Sequence, residues 1–192
     1  MDISFIGWIH TLIALLAIGS GAYSLKKYTI IETKNLSAKI FVFATIVAAI
    51  TALFIYKRGF GVGHLLAIVT LLAVIFGYIN ERGLFFGFLT PYLQTISYSA
   101  LFLFHMVPGI TEVLRRFPRD NPIVLDSNID HPILISFYIT FFITYLIITT
   151  NQIIWLKKRS ASGIHVAHDS VRGATKRLIP NNSDAETTQA QY

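Results

Sequence analysis

Five long apolar blocks, at residues 4–25, 39–56, 64–79, 91–114 and 132–156, constrain this chain more than any other feature. The hydrocarbon core of a bilayer is ~30 Å thick, and a helix rises ~1.5 Å per residue, so about 20 apolar residues cross it. Inside lipid every backbone N–H and C=O must be paired within the protein, which a helix does by itself. The fold class that follows is an all-α integral membrane protein, a bundle of about five transmembrane helices. Composition agrees: 54% of residues are hydrophobic and only 14% charged, against about 25% charged in soluble domains. The absence of cysteine excludes disulfides, thiol chemistry and cysteine-based zinc or iron–sulfur sites.

Polar punctuation separates the blocks. Lys26-Lys27, Lys57-Arg58, Asn80-Glu81-Arg82 and Arg115-Arg116 follow the first four. The first block carries Asp2 and lacks both a basic n-region and a clean cleavage site, so it reads as a retained helix. Pro91 and Pro132 suit first helical turns, Asp130 is placed to cap the fifth helix, and Pro108-Gly109 suggests a kink in the fourth. Residues 159–192 are basic, then rich in Asn, Ser, Thr and Gln, and are expected to form a disordered cytoplasmic tail.

The formal charge of +6 is unevenly placed. With five spans, one side of the membrane receives Lys26, Lys27, Lys34, Lys39, Arg82, Lys157, Lys158, Arg159, Arg172, Lys176 and Arg177. The other receives Lys57, Arg58, Arg115, Arg116 and Arg119. Cytoplasmic loops carry the Lys and Arg excess. The expected orientation in the plasma (inner) membrane therefore has the N-terminus outside and the tail in the cytoplasm. A basic surplus in such a chain is an orientation signal, and no nucleic-acid partner is implied.

Polar groups at membrane depth are costly and call for a reason. Four histidines, His10, His64, His105 and His131, fall in the outer half of the bilayer or at its outer surface in this topology. On the first helix Gly7, His10, Ala14, Ala17 and Gly21 share one face, a small-residue stripe of the kind that lets membrane helices approach closely. On the fourth, His105, Gly109 and Glu112 share a face. Neutral imidazole ligates copper and haem iron, so a haem b site, a copper site or a proton path is one reading. No H-x-x-x-H pair supports it. The plainer reading is four unrelated histidines, two at helix ends and two bonding across the bundle. His165 and His168 lie in the polar tail and are assigned no role.

The remaining motifs are bland. Phe60, Phe85, Phe86, Phe88 and Tyr92 sit between spans as an aromatic belt would. The glycines from Gly59 to Gly63 follow no strand and precede no Lys-Ser/Thr, so they are not a phosphate loop. No serine stands in a nucleophile elbow. Arg115-Arg116 could meet a lipid phosphate or a partner's acidic patch, but reads first as a solvated helix end.

The order His10, Gly19-Ser20-Gly21-Ala22, Leu25-Lys26-Lys27 and then Ala38-Lys39-Ile40-Phe41-Val42 resembles a family of small bacterial polytopic membrane proteins, domain of unknown function 2306. Where that family places a His-Arg pair before its second helix, this chain has Asn35 and Leu36. His105-Met106-Val107-Pro108 and His131 more distantly resemble a small membrane family linked to maturation of haem-copper oxidases. Neither resemblance implies a catalytic residue.

Two classes of function stay open. One is a non-enzymatic accessory, assembly or lipid-contacting component, whose partners are the bilayer and another membrane protein and whose histidines are separately satisfied. The other is a redox or transport protein holding haem b, copper or an ion between helices, whose histidines converge. The first is preferred.

Overall fold

The computed structural model describes residues 5–55, 59–118, 121–125 and 130–178, and for 163–178 the backbone alone. Among the described residues there are five α-helices and no strand: α1 (Phe5–Tyr28), α2 (Leu36–Leu53), α3 (Val62–Glu81), α4 (Thr90–Arg116) and α5 (Pro132–Leu178). A single 3-10 turn, Gly87–Leu89, precedes α4. All five helices are long and apolar enough to cross a bilayer. Their ends fall within three residues of the expected ones, except at the end of α5. The expected first residue, Ser4, and the expected end of the second span, Tyr56, lie outside the described residues.

α5 runs to Leu178, past the expected end of the fifth span at residue 156. A polar composition removes the apolar face that would bury the segment, but Ser, Ala, Lys and Arg are tolerated in helices, and the next proline after Pro132 is Pro180. Residues 179–192 lie outside the described residues. The residue that caps α5 is His131 and not Asp130: its Nδ1 accepts the Ile133 N–H at 3.3 Å, and its carbonyl accepts the Ile135 N–H at 3.2 Å. Asp130 stands one residue too far out to reach the first free amides.

The chain divides into two units, Met1–Ile153 and Ile154–Tyr192. In the second, Arg159 lies over the Trp155 ring at 5.2 Å, and Ser162 Oγ donates to the Lys158 carbonyl at 3.0 Å. In the first, α2 packs against α1 and α3, α3 against α4, and α1 touches α4. Ala17, Ala38, Phe41, Ala44, Val74, Tyr98 and Leu101 form its main core. Leu114, Val124 and Leu134 form a smaller cluster between the end of α4 and the start of α5. α4 runs through Pro108 without interruption.

The small face of α1 is what allows this packing. Ala17, Gly21 and Ser24 are buried, while Leu12, Leu15 and Leu16 on the other side are 63%, 59% and 56% exposed. A Cβ on Gly21 would stand 2.6 Å from Phe102 Cζ and 2.7 Å from Phe41 Cδ2. Those two rings are stacked at 4.8 Å, and Phe41 is fully buried, so neither can simply turn away. Gly77 of α3 repeats the device: a Cβ there would stand 2.5 Å from Tyr98 Cε1. Helices without an apolar driving force between them associate through such close contact. Gly21→Leu is expected to lower stability by about 1–3 kcal/mol, read as a fall in thermal midpoint of the detergent-purified protein. Leu16→Ala should cost under about 0.5 kcal/mol. Equal midpoints for the two variants would show that α1 does not pack on this face.

Candidate functional site

The four histidines fall into two kinds. His64 and His131 sit at helix starts and use their rings locally. In the first turn of α3, the His64 N–H donates to the Gly61 carbonyl at 3.0 Å, and the Gly61 N–H donates back to His64 Nδ1 at 3.2 Å. The His64 ring is buried and stacks on Phe60 at 5.2 Å between centroids. His131 serves α5 as described above. Both rings therefore satisfy amides that a helix start leaves without partners.

His10 and His105 act across the bundle, and both bond to α2. His10 Nδ1 lies 3.0 Å from the Ala48 carbonyl and 3.1 Å from Thr51 Oγ1. His105 Nε2 lies 3.0 Å from Thr45 Oγ1, and both of those side chains are buried. The outermost anchor points on α2, Thr45 and Thr51, lie six positions apart, or ~9 Å along the axis. The structure thus brings these two rings to one stretch of α2, His10 from α1 and His105 from α4. Each polar ring has been given a partner, as burial demands.

The expected companions do not join them. Gly109 is exposed, and Glu112 pairs with Arg116 one turn along α4, at 2.6 Å, on an exposed part of the helix. Among the described residues, no three His, Cys, Asp or Glu side chains gather where they could hold a metal ion. The side chains of His165 and His168 lie outside the described residues. Asn35, which stands where the resembled family has histidine, is the residue preceding α2, and its carbonyl accepts the Lys39 N–H at 3.0 Å.

A second polar cluster, at the opposite end of the bundle, was not among the candidates. It holds the connection between α1 and α2, residues 29–35, whose Ile30 and Ile31 are buried. Gln152 of α5 donates to the Thr29 carbonyl at 2.8 Å and accepts from Ser99 of α4 at 2.7 Å. Gln94 donates to the Ile31 carbonyl at 2.9 Å. The Glu81 carboxylate accepts from the Thr33 backbone N–H, from Thr33 Oγ1 at 2.8 Å and from the Tyr98 hydroxyl at 3.0 Å. Three helices thus close on one loop. The signal for it was present as Gln94 and Gln152, uncharged amides inside otherwise apolar spans.

Against known proteins, a family model described as a domain of unknown function, DUF7483, matches residues 145–192, a quarter of the chain. That stretch holds the later part of α5 and none of the four histidines bonded in the bundle. It also lies apart from the first eighty residues that carry the resemblance noted above. No curated protein and no solved structure matches the chain.

The pairing of Thr45 with His105 can be measured. Thr45→Val removes the hydroxyl at nearly constant shape and leaves a buried ring nitrogen without its partner, at a cost of about 1–3 kcal/mol. In a double-mutant cycle with His105→Leu, the two losses should fall short of additivity by about 1 kcal/mol. Strict additivity of the thermal or denaturant midpoints would show that the two side chains do not bond.

Proposed function

We propose that this chain is a non-enzymatic component of the plasma membrane, an accessory or assembly protein whose polar interior serves packing. The observation that carries this reading is the separate employment of the histidines. His64 and His131 each complete a helix start, while His10 and His105, on one stretch of α2, each bond to partners of their own. A redox or transport site built on them would need those bonds exchanged for a shared ligand. The exposed apolar faces of α1, α3 and α5 support a chain surrounded by lipid or by another membrane protein. The match to a family of unknown function neither adds an activity nor removes one.

The test is the purified full chain. It is expected to show no haem absorbance and no stoichiometric copper, and to keep its elution profile in His10→Ala and His105→Ala. A Soret band or bound copper that is lost in either variant would replace this reading with the haem b or copper alternative.

The proposed orientation places the N-terminus outside and α5's distal end in the cytoplasm, as the Lys and Arg distribution directs. Reporter fusions after Leu25 and after Lys158 should both report cytoplasm. A periplasmic signal at either junction reverses it.

A further inference from the structure

The connection between α3 and α4 is short, apolar and turned back on itself. Leu84, Phe85, Phe86, Phe88 and Leu89 are 63%, 74%, 43%, 81% and 43% exposed. So much apolar surface in a loop is unusual for a segment facing water. Two glycines with positive φ, Gly83 at 71° and Gly87 at 50°, make the turns that produce this shape; L side chains rarely adopt that backbone. The Phe86 ring meets the Phe76 ring edge-on at 6.0 Å between centroids. Phe76 belongs to the outward face of α3, together with Leu72 and Ile75, all of them exposed. The loop therefore folds back along the face that α3 turns to lipid, and does not reach away from the bundle.

Arg82 stands at the root of this loop. Its guanidinium lies over the Tyr78 ring at 5.0 Å, and its Nη2 donates to the Tyr78 hydroxyl at 2.7 Å. Tyr78 is itself 45% exposed. At the same end of the bundle, the Lys27 ammonium lies 5.6 Å and 5.3 Å from the centroids of Tyr23 and Tyr28. Aromatic rings with a polar tip settle at headgroup depth. A cation held over such a ring keeps most of its hydrogen-bond donors free. Lys34, by contrast, is paired with Glu32.

We propose that the 83–89 loop is a wedge inserted into the cytoplasmic leaflet, and that Arg82 binds the phosphodiester of an anionic phospholipid beside it. The apolar loop supplies depth and the guanidinium supplies the charge-assisted bonds that phosphate oxygens accept. Continuity of the loop with α3's outward face commits the surface to lipid. This inference rests on the membrane reading and orientation proposed above.

The experiment uses the full chain reconstituted in vesicles of phosphatidylcholine with or without phosphatidylglycerol. The indole introduced by Phe88→Trp should be quenched by lipids brominated high on the acyl chain, above the background of Trp8 and Trp155 measured in the unsubstituted chain. In nanodiscs of the mixed lipids, native mass spectrometry should show phosphatidylglycerol retained in preference to phosphatidylcholine. Arg82→Gln should weaken that preference roughly five-fold, the effect of one interfacial basic charge; Lys34→Gln should leave it unchanged. Quenching in Phe88→Trp no greater than in the unsubstituted chain overturns the wedge. A lipid preference equal in Arg82→Gln and the unsubstituted chain overturns the phosphate site. Those failures are distinct from failure of the underlying reading, which would show as a chain extracted from vesicles by alkaline carbonate, or as a periplasmic report from a fusion after Arg82.

Discussion

A glutamine amide on a buried face of an apolar helix needs a partner in another protein group, and two such amides organise one end of this bundle. Gln94 and Gln152 both reach carbonyls of the α1–α2 connection, at Ile31 and Thr29. With Glu81 accepting from Thr33 and Tyr98, they tie α3, α4 and α5 to a loop that would otherwise be free to move. The arrangement is mutual. The loop offers carbonyls that no helix uses, and the helices offer buried donors that need them. Removing one partner would strand the other at a cost of about 1–3 kcal/mol. The bond to Thr29 is made at a strained position, since this β-branched residue has φ of 69°, a conformation that side chains of its kind avoid. A surrounding structure must over-determine such a residue to hold it. The Gln152 amide on its carbonyl, and the Thr29 N–H closing on the Leu25 carbonyl at 2.9 Å, are two of the restraints.

The number of helices and nearly all of their ends were legible in the sequence, because apolar length and basic punctuation are direct consequences of bilayer thickness. The packing face of α1 was legible too, since small residues at 14, 17 and 21 leave room that Leu15 and Leu16 do not. The continuation of α5 was not. Absence of an apolar face removes the evidence by which a helix is read, though it does not remove the backbone's ability to form one. His131 as a cap was hidden by a habit of expecting carboxylates and hydroxyls at that position, when an imidazole nitrogen can accept the same bond.

Histidines drew attention because their chemistry is versatile, and sequence depth put His10 and His105 at similar levels; both rings reach one stretch of α2. What the sequence could not show was the identity of the partner. Thr45 and Thr51 look like ordinary fillers of an apolar helix, and a threonine hydroxyl in a helix can always return to its own backbone, as Thr51 does to Val47 and Ala48. Only the crossing of α1 and α4 over α2 decides that these hydroxyls also meet rings. The amides at 94 and 152 carried a clearer signal than the histidines: they have no common role except hydrogen bonding, so their presence in a span already implies a partner elsewhere.

The two histidines at helix starts impose a further condition. At His64 and at His131 the ring nitrogen nearest the backbone accepts an amide proton, so each ring must be neutral and must carry its own proton on Nε2. In an alternating bundle α3 and α5 begin on the same side of the membrane. The first turns of two helices on that side therefore each rest a bond on an imidazole nitrogen. The nitrogen-15 shifts of the two rings report the tautomer directly; a proton found on Nδ1 in either ring would contradict the arrangement. One rim of the bundle thus opens two of its helices with an aromatic ring where a hydroxyl or carboxylate is the usual cap.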